Sequence, residues 1–112
     1  MRKSIASPNA FFVIEGGSVY PLVKALINIG RRLENDLVID DPRVSRNHAQ
    51  LHALQGHYVI FDLNSTGGTS VNGSRITQTI IYLIDTISLG GVTLAFHQYD
   101  TPPRSDLMDT VR

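Results

Sequence analysis

No window of the chain carries apolar residues at the three-and-four spacing of a helix; they come instead in short runs separated by turn chemistry. The segment from His48 to Leu54 shows the pattern best, with Ala49, Leu51 and Ala53 alternating with His48, Gln50 and His52. A period of two puts every second side chain on one face of a strand, and an apolar face must be buried against another layer. Comparable runs are Ala10 to Glu15, Ser18 to Leu22, Ala25 to Ile29, Leu37 to Ile39, His57 to Leu63, Ile80 to Ile84, Thr86 to Leu89 and Val92 to Phe96. Gly16-Gly17, Gln55-Gly56 and Gly90-Gly91 punctuate them, and Asn72-Gly73 is a strong type I′ hairpin signal because both residues tolerate positive φ. Composition agrees, since eleven isoleucines, nine valines and eight threonines against six alanines favour sheet. Roughly ten short strands in one domain imply an all-β, two-layer antiparallel sandwich, because a single sheet of that width leaves an apolar face wet. Function is then expected on the loops at one end.

The 112 residues supply one domain, which argues against a large enzyme barrel. Ten basic residues balance ten acidic ones, so no overall field marks a nucleic-acid or membrane binder, and no acidic excess marks disorder. Yet eight of the ten basic residues are Arg, whose planar fork is preferred where an oxyanion must be held. The absence of Cys removes disulfides, thiolate zinc sites and cysteine nucleophiles together, and fits a reducing compartment. The first apolar run, Ala10 to Ile14, is too short for a signal-peptide core or a membrane span. The expectation is a cytoplasmic protein or module without membrane insertion, built as a flexible segment 1–9, a domain 10–99 and a flexible, Pro-punctuated tail 100–112.

Three loops concentrate special residues: Gly30-Arg31-Arg32, Pro42 to His48, and Asn64 to Gly73. Together they offer four Arg forks, hydroxyls and Gly-exposed amides, while Glu34, Asp36, Asp40 and Asp41 stay at the margins. That inventory suits a dianionic phosphate monoester.

Gly30-Arg31, then Ser45-Arg46-Asn47-His48 in a Ser-x-x-His arrangement, then Asp62 to Thr69 followed by Asn72-Gly73, stand in the order and spacing of the forkhead-associated (FHA) domain family. The chain resembles that family from about Phe11 to Gln98. The resemblance implies an eleven-stranded, SMAD/FHA-like β-sandwich whose end loops bind phosphothreonine-containing proteins in Ser/Thr kinase signalling, without catalysis, cofactor, metal or nucleic acid. It implies that Arg31 supplies the main fork to the phosphate, that Ser45 and Thr66 donate hydroxyls, and that Arg46 adds charge and an N–H. Gly30, His48, Gly68, Asn72 and Gly73 would support the loops. The threonine methyl would fill a small apolar niche that phosphoserine leaves empty. Arg43 would read an acidic residue three places after the phosphothreonine, or else pair with Asp40 or Asp41. The sequence departs from the family at Gly67, where an Asn usually anchors the peptide main chain.

The same residues admit other chemical readings. Ser45 and Thr66 could be turn hydroxyls bonding their own backbone, and Arg46 a solvated charge. His48 and His52 would make a zinc pair only on a helix, and the alternation makes that segment a strand. His48 three residues after Ser45 in one loop does not suit a hydrolase triad. Thr66 to Gly73 lacks the Gly-Lys-Ser/Thr of a nucleotide-binding loop, and the glycosylation patterns at Asn64 and Asn72 lack a secretion signal. A phosphate-independent scaffold or oligomerisation domain on the same fold is the competing function, favoured by Gly67. Thr101 and Thr110 are candidate phosphoacceptors in the tail that could occupy the domain's own site, Thr110 being preferred because Arg104 follows Thr101.

Overall fold

The computed structural model describes residues 10–98. They form eleven strands: β1 (Ala10–Ile14), β2 (Val19–Pro21), β3 (Leu26–Gly30), β4 (Leu37–Val38), β5 (Ala49–Leu54), β6 (His57–Asp62), β7 (Thr69–Val71), β8 (Ser74–Ile76), β9 (Gln78–Ile81), β10 (Thr86–Leu89) and β11 (Val92–Gln98). One sheet has the order β2-β1-β11-β10-β7-β8 and the other β4-β3-β5-β6-β9. The expected sandwich is therefore present, and no helix occurs among the described residues.

Alternation decides which faces meet. Ala49, Leu51 and Ala53 of β5 and Val92, Leu94 and Phe96 of β11 are buried, while Gln50, His52, Thr93 and Ala95 between them keep solvent contact. Phe12, Ile27, Ile29, Ile60, Ile87 and Leu89 complete the centre of the single apolar core. The turns also follow their chemistry: Gln55-Gly56 and Asn72-Gly73 both place two consecutive residues at positive φ, as two-residue hairpins of the I′ type require.

Three expectations need correction. The strand expected over Ile80 to Ile84 is instead β9, Gln78–Ile81, because residues 82–85 fold into a turn in which Asp85 accepts from the Tyr82 N–H at 2.8 Å. The β3–β4 pair is parallel, Ile29 opposite Leu37, so the five-stranded sheet is mixed. The long connections around β4 allow this, since a parallel pair cannot be joined by a tight hairpin. Thr69–Val71 and Ser74–Ile76, read only as flanks of the Asn72-Gly73 turn, are strands in their own right.

Register brings the special loops to one end. Ile29 pairs with Ala49 and Ala49 with Asp62, so β3 leaves, β5 enters and β6 leaves at the same level. In the other sheet Thr69 pairs with Leu89, which sets the start of β7 beside the β10–β11 turn.

Candidate functional site

His48 joins the loops. It lies before β5, is completely buried, and its Nδ1 accepts from the Ser45 N–H at 3.0 Å while Nε2 lies 3.0 Å from the Gly68 carbonyl oxygen. The neutral Nε2–H tautomer satisfies both, so one ring fixes the second loop to the third. The Arg31 N–H donates to the Ser45 carbonyl at 3.0 Å, and the Arg32 N–H to that of Arg46 at 3.2 Å, stitching the first loop to the second. Asn35 strengthens the seam by donating to the Arg46 carbonyl at 2.8 Å. Gly30 is required by this approach, because a Cβ there would overlap the Arg46 carbonyl.

The third loop is shaped by Asp62. Its carboxylate accepts from Ser65 Oγ at 2.5 Å, the Ser65 N–H at 3.1 Å and Thr69 Oγ1 at 2.6 Å. Burial opposes the charged form of Asp62, but these three donors outweigh it and hold the carboxyl below its usual range. Asn64 takes φ 57° and Gly68 φ 81°, the left-handed region that Asn and Gly tolerate best. The Thr66 N–H then donates to Ser45 Oγ at 3.0 Å, which brings the two expected hydroxyl residues side by side.

A cavity of about 360 Å³ opens between these loops, lined by Arg31, Pro42, Arg43, Val44, Ser45, Thr66, Gly67 and Gly90. Arg31 Nε donates to the Val44 carbonyl at 3.0 Å, which orients the guanidinium. Among the described residues nothing accepts from its terminal nitrogens or pairs with Arg46, whereas Arg32 pairs with Glu34 at 3.2 Å. Thr66 Oγ1 has no partner among the described residues, and Ser45 Oγ, serving there as an acceptor, keeps its own proton to donate. Preorganised donors without a facing carboxylate favour an oxyanion.

Arg43 has a different setting. It forks onto Asp41 through Nε and Nη2 at 3.0 and 2.9 Å and reaches Glu15 from Nη2 at 3.1 Å. Of the two pairings expected for it, Asp41 is realised, and Glu15 joins from the β1–β2 turn. The Arg43 guanidinium and N–H hold the Asp41 carboxyl down to about 2. Gly67 is packed against the β10–β11 turn, where a Cβ would come within 2.9 Å of Gly90 Cα. The space an Asn side chain would need is closed by that approach.

Asn72 and Gly73 are not brought to these loops. Asn72 sits at the opposite end of β7, donating from Nδ2 to Asp85 at 2.8 Å and accepting the Thr86 N–H at 2.9 Å, so it holds the β7–β8 hairpin to β10. Thr101 and Thr110 lie outside the described residues. The Ser45 hydroxyl and the His48 ring are not partners, since the ring meets the Ser45 backbone. His52 packs on Phe61, ring centroids 4.6 Å apart, and no group of three or more His, Cys, Asp or Glu among the described residues could hold a metal.

Sequence reasoning passed over Asn35, Glu15 and the hub role of Asp62. The Asp62-to-Ser65 spacing is an Asx-turn signal that could have revealed the last. The other two had no local signal, because their partners lie on distant segments.

Fold and site together define a β-sandwich recognition module with an oxyanion-suited cluster of donors at one end. The chain belongs to the FHA domain family, whose model matches residues 27–90. It is 42% identical over 67 residues to the transcriptional regulatory protein EmbR of Mycobacterium tuberculosis, a match covering 60% of this chain and 17% of EmbR. It is similar to the structure of M. tuberculosis EmbR in complex with a low-affinity phosphopeptide, with TM-score 0.79 and 32% identity over 86% of this chain and 26% of that one. A further neighbour comes from a structural and functional analysis of phosphothreonine-dependent FHA domain interactions, with TM-score 0.78, 25% identity, and 83% and 99% of the two chains covered. The chain thus matches about a sixth of EmbR by sequence and about a quarter of it by structure.

Proposed function

We propose that the chain binds phosphothreonine peptides and mediates phosphorylation-dependent protein–protein interaction downstream of a Ser/Thr kinase, in the cytoplasm and without catalysis of its own. The observation that carries this reading is the Arg31 fork, oriented by the Val44 carbonyl and open at its tip, in one cavity with Ser45 and Thr66. A phosphate monoester brings a charge of about −2 and three acceptor oxygens, whereas unmodified threonine offers these donors nothing to pair with. Arg31 supplies the fork, Ser45 and Thr66 the hydroxyls, and Arg46 long-range charge. Gly67 leaves the peptide's main chain without a side-chain amide to anchor it. The domains solved with phosphopeptide or described as phosphothreonine-dependent support the assignment. The lack of cysteine and of any long apolar helix among the described residues accords with the compartment proposed.

The test compares a library of peptides with fixed phosphothreonine against its unphosphorylated twin. Binding confined to the phosphorylated library is expected; equal signals would favour a phosphate-independent scaffold.

A further inference from the structure

The cavity is electrically polarised. Its floor carries the open Arg31 fork, but the rim beside Gly90 carries an ion cluster in which Arg43 is outnumbered. Asp41 takes Nε and Nη2 of that guanidinium, Glu15 takes Nη2 as well, and the Gly91 carbonyl lies 3.5 Å from Nη1. Glu15 is itself tethered, its other oxygen accepting the Thr93 N–H at 3.3 Å. Two carboxylates against one guanidinium leave the rim negative, and an acidic ligand side chain would find only Nη1 to approach, with Glu15 and Asp41 already on the other nitrogens.

We infer that Glu15 and Asp41 convert the Arg43 rim into a selector for basic side chains, so that the ligand is a phosphothreonine flanked by Lys or Arg. The peptide is then matched at both poles, phosphate on the donor floor and cation on the rim, and an acidic flank is disfavoured by like charge. This reverses the preference that an unpaired Arg43 would impose. The inference rests on the phosphothreonine reading above and refines its substrate class. Asp41 keeps its charge through the whole physiological range, as its depressed carboxyl requires. The rim groups are between about a quarter and a half exposed, so the effect belongs to the range of surface ion pairs.

The test scans one Lys or one Glu through the positions flanking the phosphothreonine, against the wild type and the Glu15→Gln, Asp41→Asn and Arg43→Gln variants. Circular dichroism checks that each variant is folded. The wild type should prefer Lys over Glu about two- to fivefold at one or more positions, and about 1 M salt should erase the preference. Glu15→Gln and Asp41→Asn should weaken it, whereas Arg43→Gln should strengthen it by leaving the carboxylates uncompensated. Phosphate-dependent binding that is indifferent to flank charge, prefers Glu, or loses its preference in Arg43→Gln overturns this inference alone. Equal binding of phosphorylated and unphosphorylated peptides takes down the underlying reading with it.

Discussion

At the scale of single residues, His48 and Arg31 make opposite use of polar groups. His48 spends both ring nitrogens on the protein, on the Ser45 N–H and the Gly68 carbonyl, and so becomes a strut inside the core. Arg31 spends only Nε and keeps its tip for a ligand. His48→Ala leaves the Ser45 N–H without its partner and opens a cavity in the core, while the Gly68 carbonyl keeps the Gly90 N–H at 2.9 Å, so urea denaturation should register a loss of about 2–3 kcal/mol. Phosphopeptide affinity should fall with it even under fully native conditions, because the second and third loops lose their common anchor. Full affinity in a folded His48→Ala protein would show that the strut does not set the loops. Ser45 adds a second link, its hydroxyl holding the Thr66 N–H.

At the scale of elements, the loops are placed by strand register and the hairpins by turn chemistry. Asn72 serves the hairpins: its amide pins β7 to the start of β10, away from the cavity. Asn72→Ala should lower stability by about 2 kcal/mol, from two lost hydrogen bonds and a side chain less tolerant of positive φ. It should leave phosphopeptide affinity unchanged, a separation that calorimetry and thermal unfolding of one variant can read. The parts of the fold legible in the sequence are those with local causes. Alternation announced β5, Gln55-Gly56 and Asn72-Gly73 announced their hairpins, and the three loop motifs announced Arg31, Ser45 and Thr66. Effects that depend on distant segments were not legible. The Glu15–Arg43 contact spanning 28 positions and the closing of the space at Gly67 by Gly90 arise only once the two sheets stack, and the parallel β3–β4 pair depends on how the loop after Gly30 returns the chain alongside β3. Asn72 was legible as a turn residue but not in its place, since the motif does not say which end of β7 faces the cavity.

At the scale of the whole molecule, zero net charge conceals a separation of charge. Open guanidinium lines the cavity, and the carboxylates of the domain are tied into the fold outside its lining. Several of those carboxyls titrate below their ordinary values: Asp36, bonded by the Asn28 N–H and Lys24; Asp41, about 2; and Asp62 through its hydroxyl donors. A carboxyl depressed by folding stabilises the native state fully above its unfolded value, and that stability is lost as pH falls through the folded value. The thermal midpoint should therefore be insensitive to these groups near neutrality and drop between about pH 4 and pH 2. Asp62→Asn should lower the midpoint at neutral pH and flatten the acid limb, as differential scanning calorimetry across that range would reveal. An acid limb as steep in the variant as in the wild type would remove Asp62 from the account. On this view the sandwich is a frame that holds a few donors open against their own repulsion until a phosphate relieves it.

That claim is tested most directly by titrating wild type and Arg31→Ala with one phosphothreonine peptide by isothermal calorimetry, alongside the unphosphorylated peptide. Wild type should bind the phosphorylated peptide and not its unphosphorylated twin, and Arg31→Ala should bind the phosphopeptide about 2–5 kcal/mol more weakly, the magnitude for removing one partner of a hydrogen-bonded charge pair. Equal affinity of the two proteins for the phosphopeptide would contradict it.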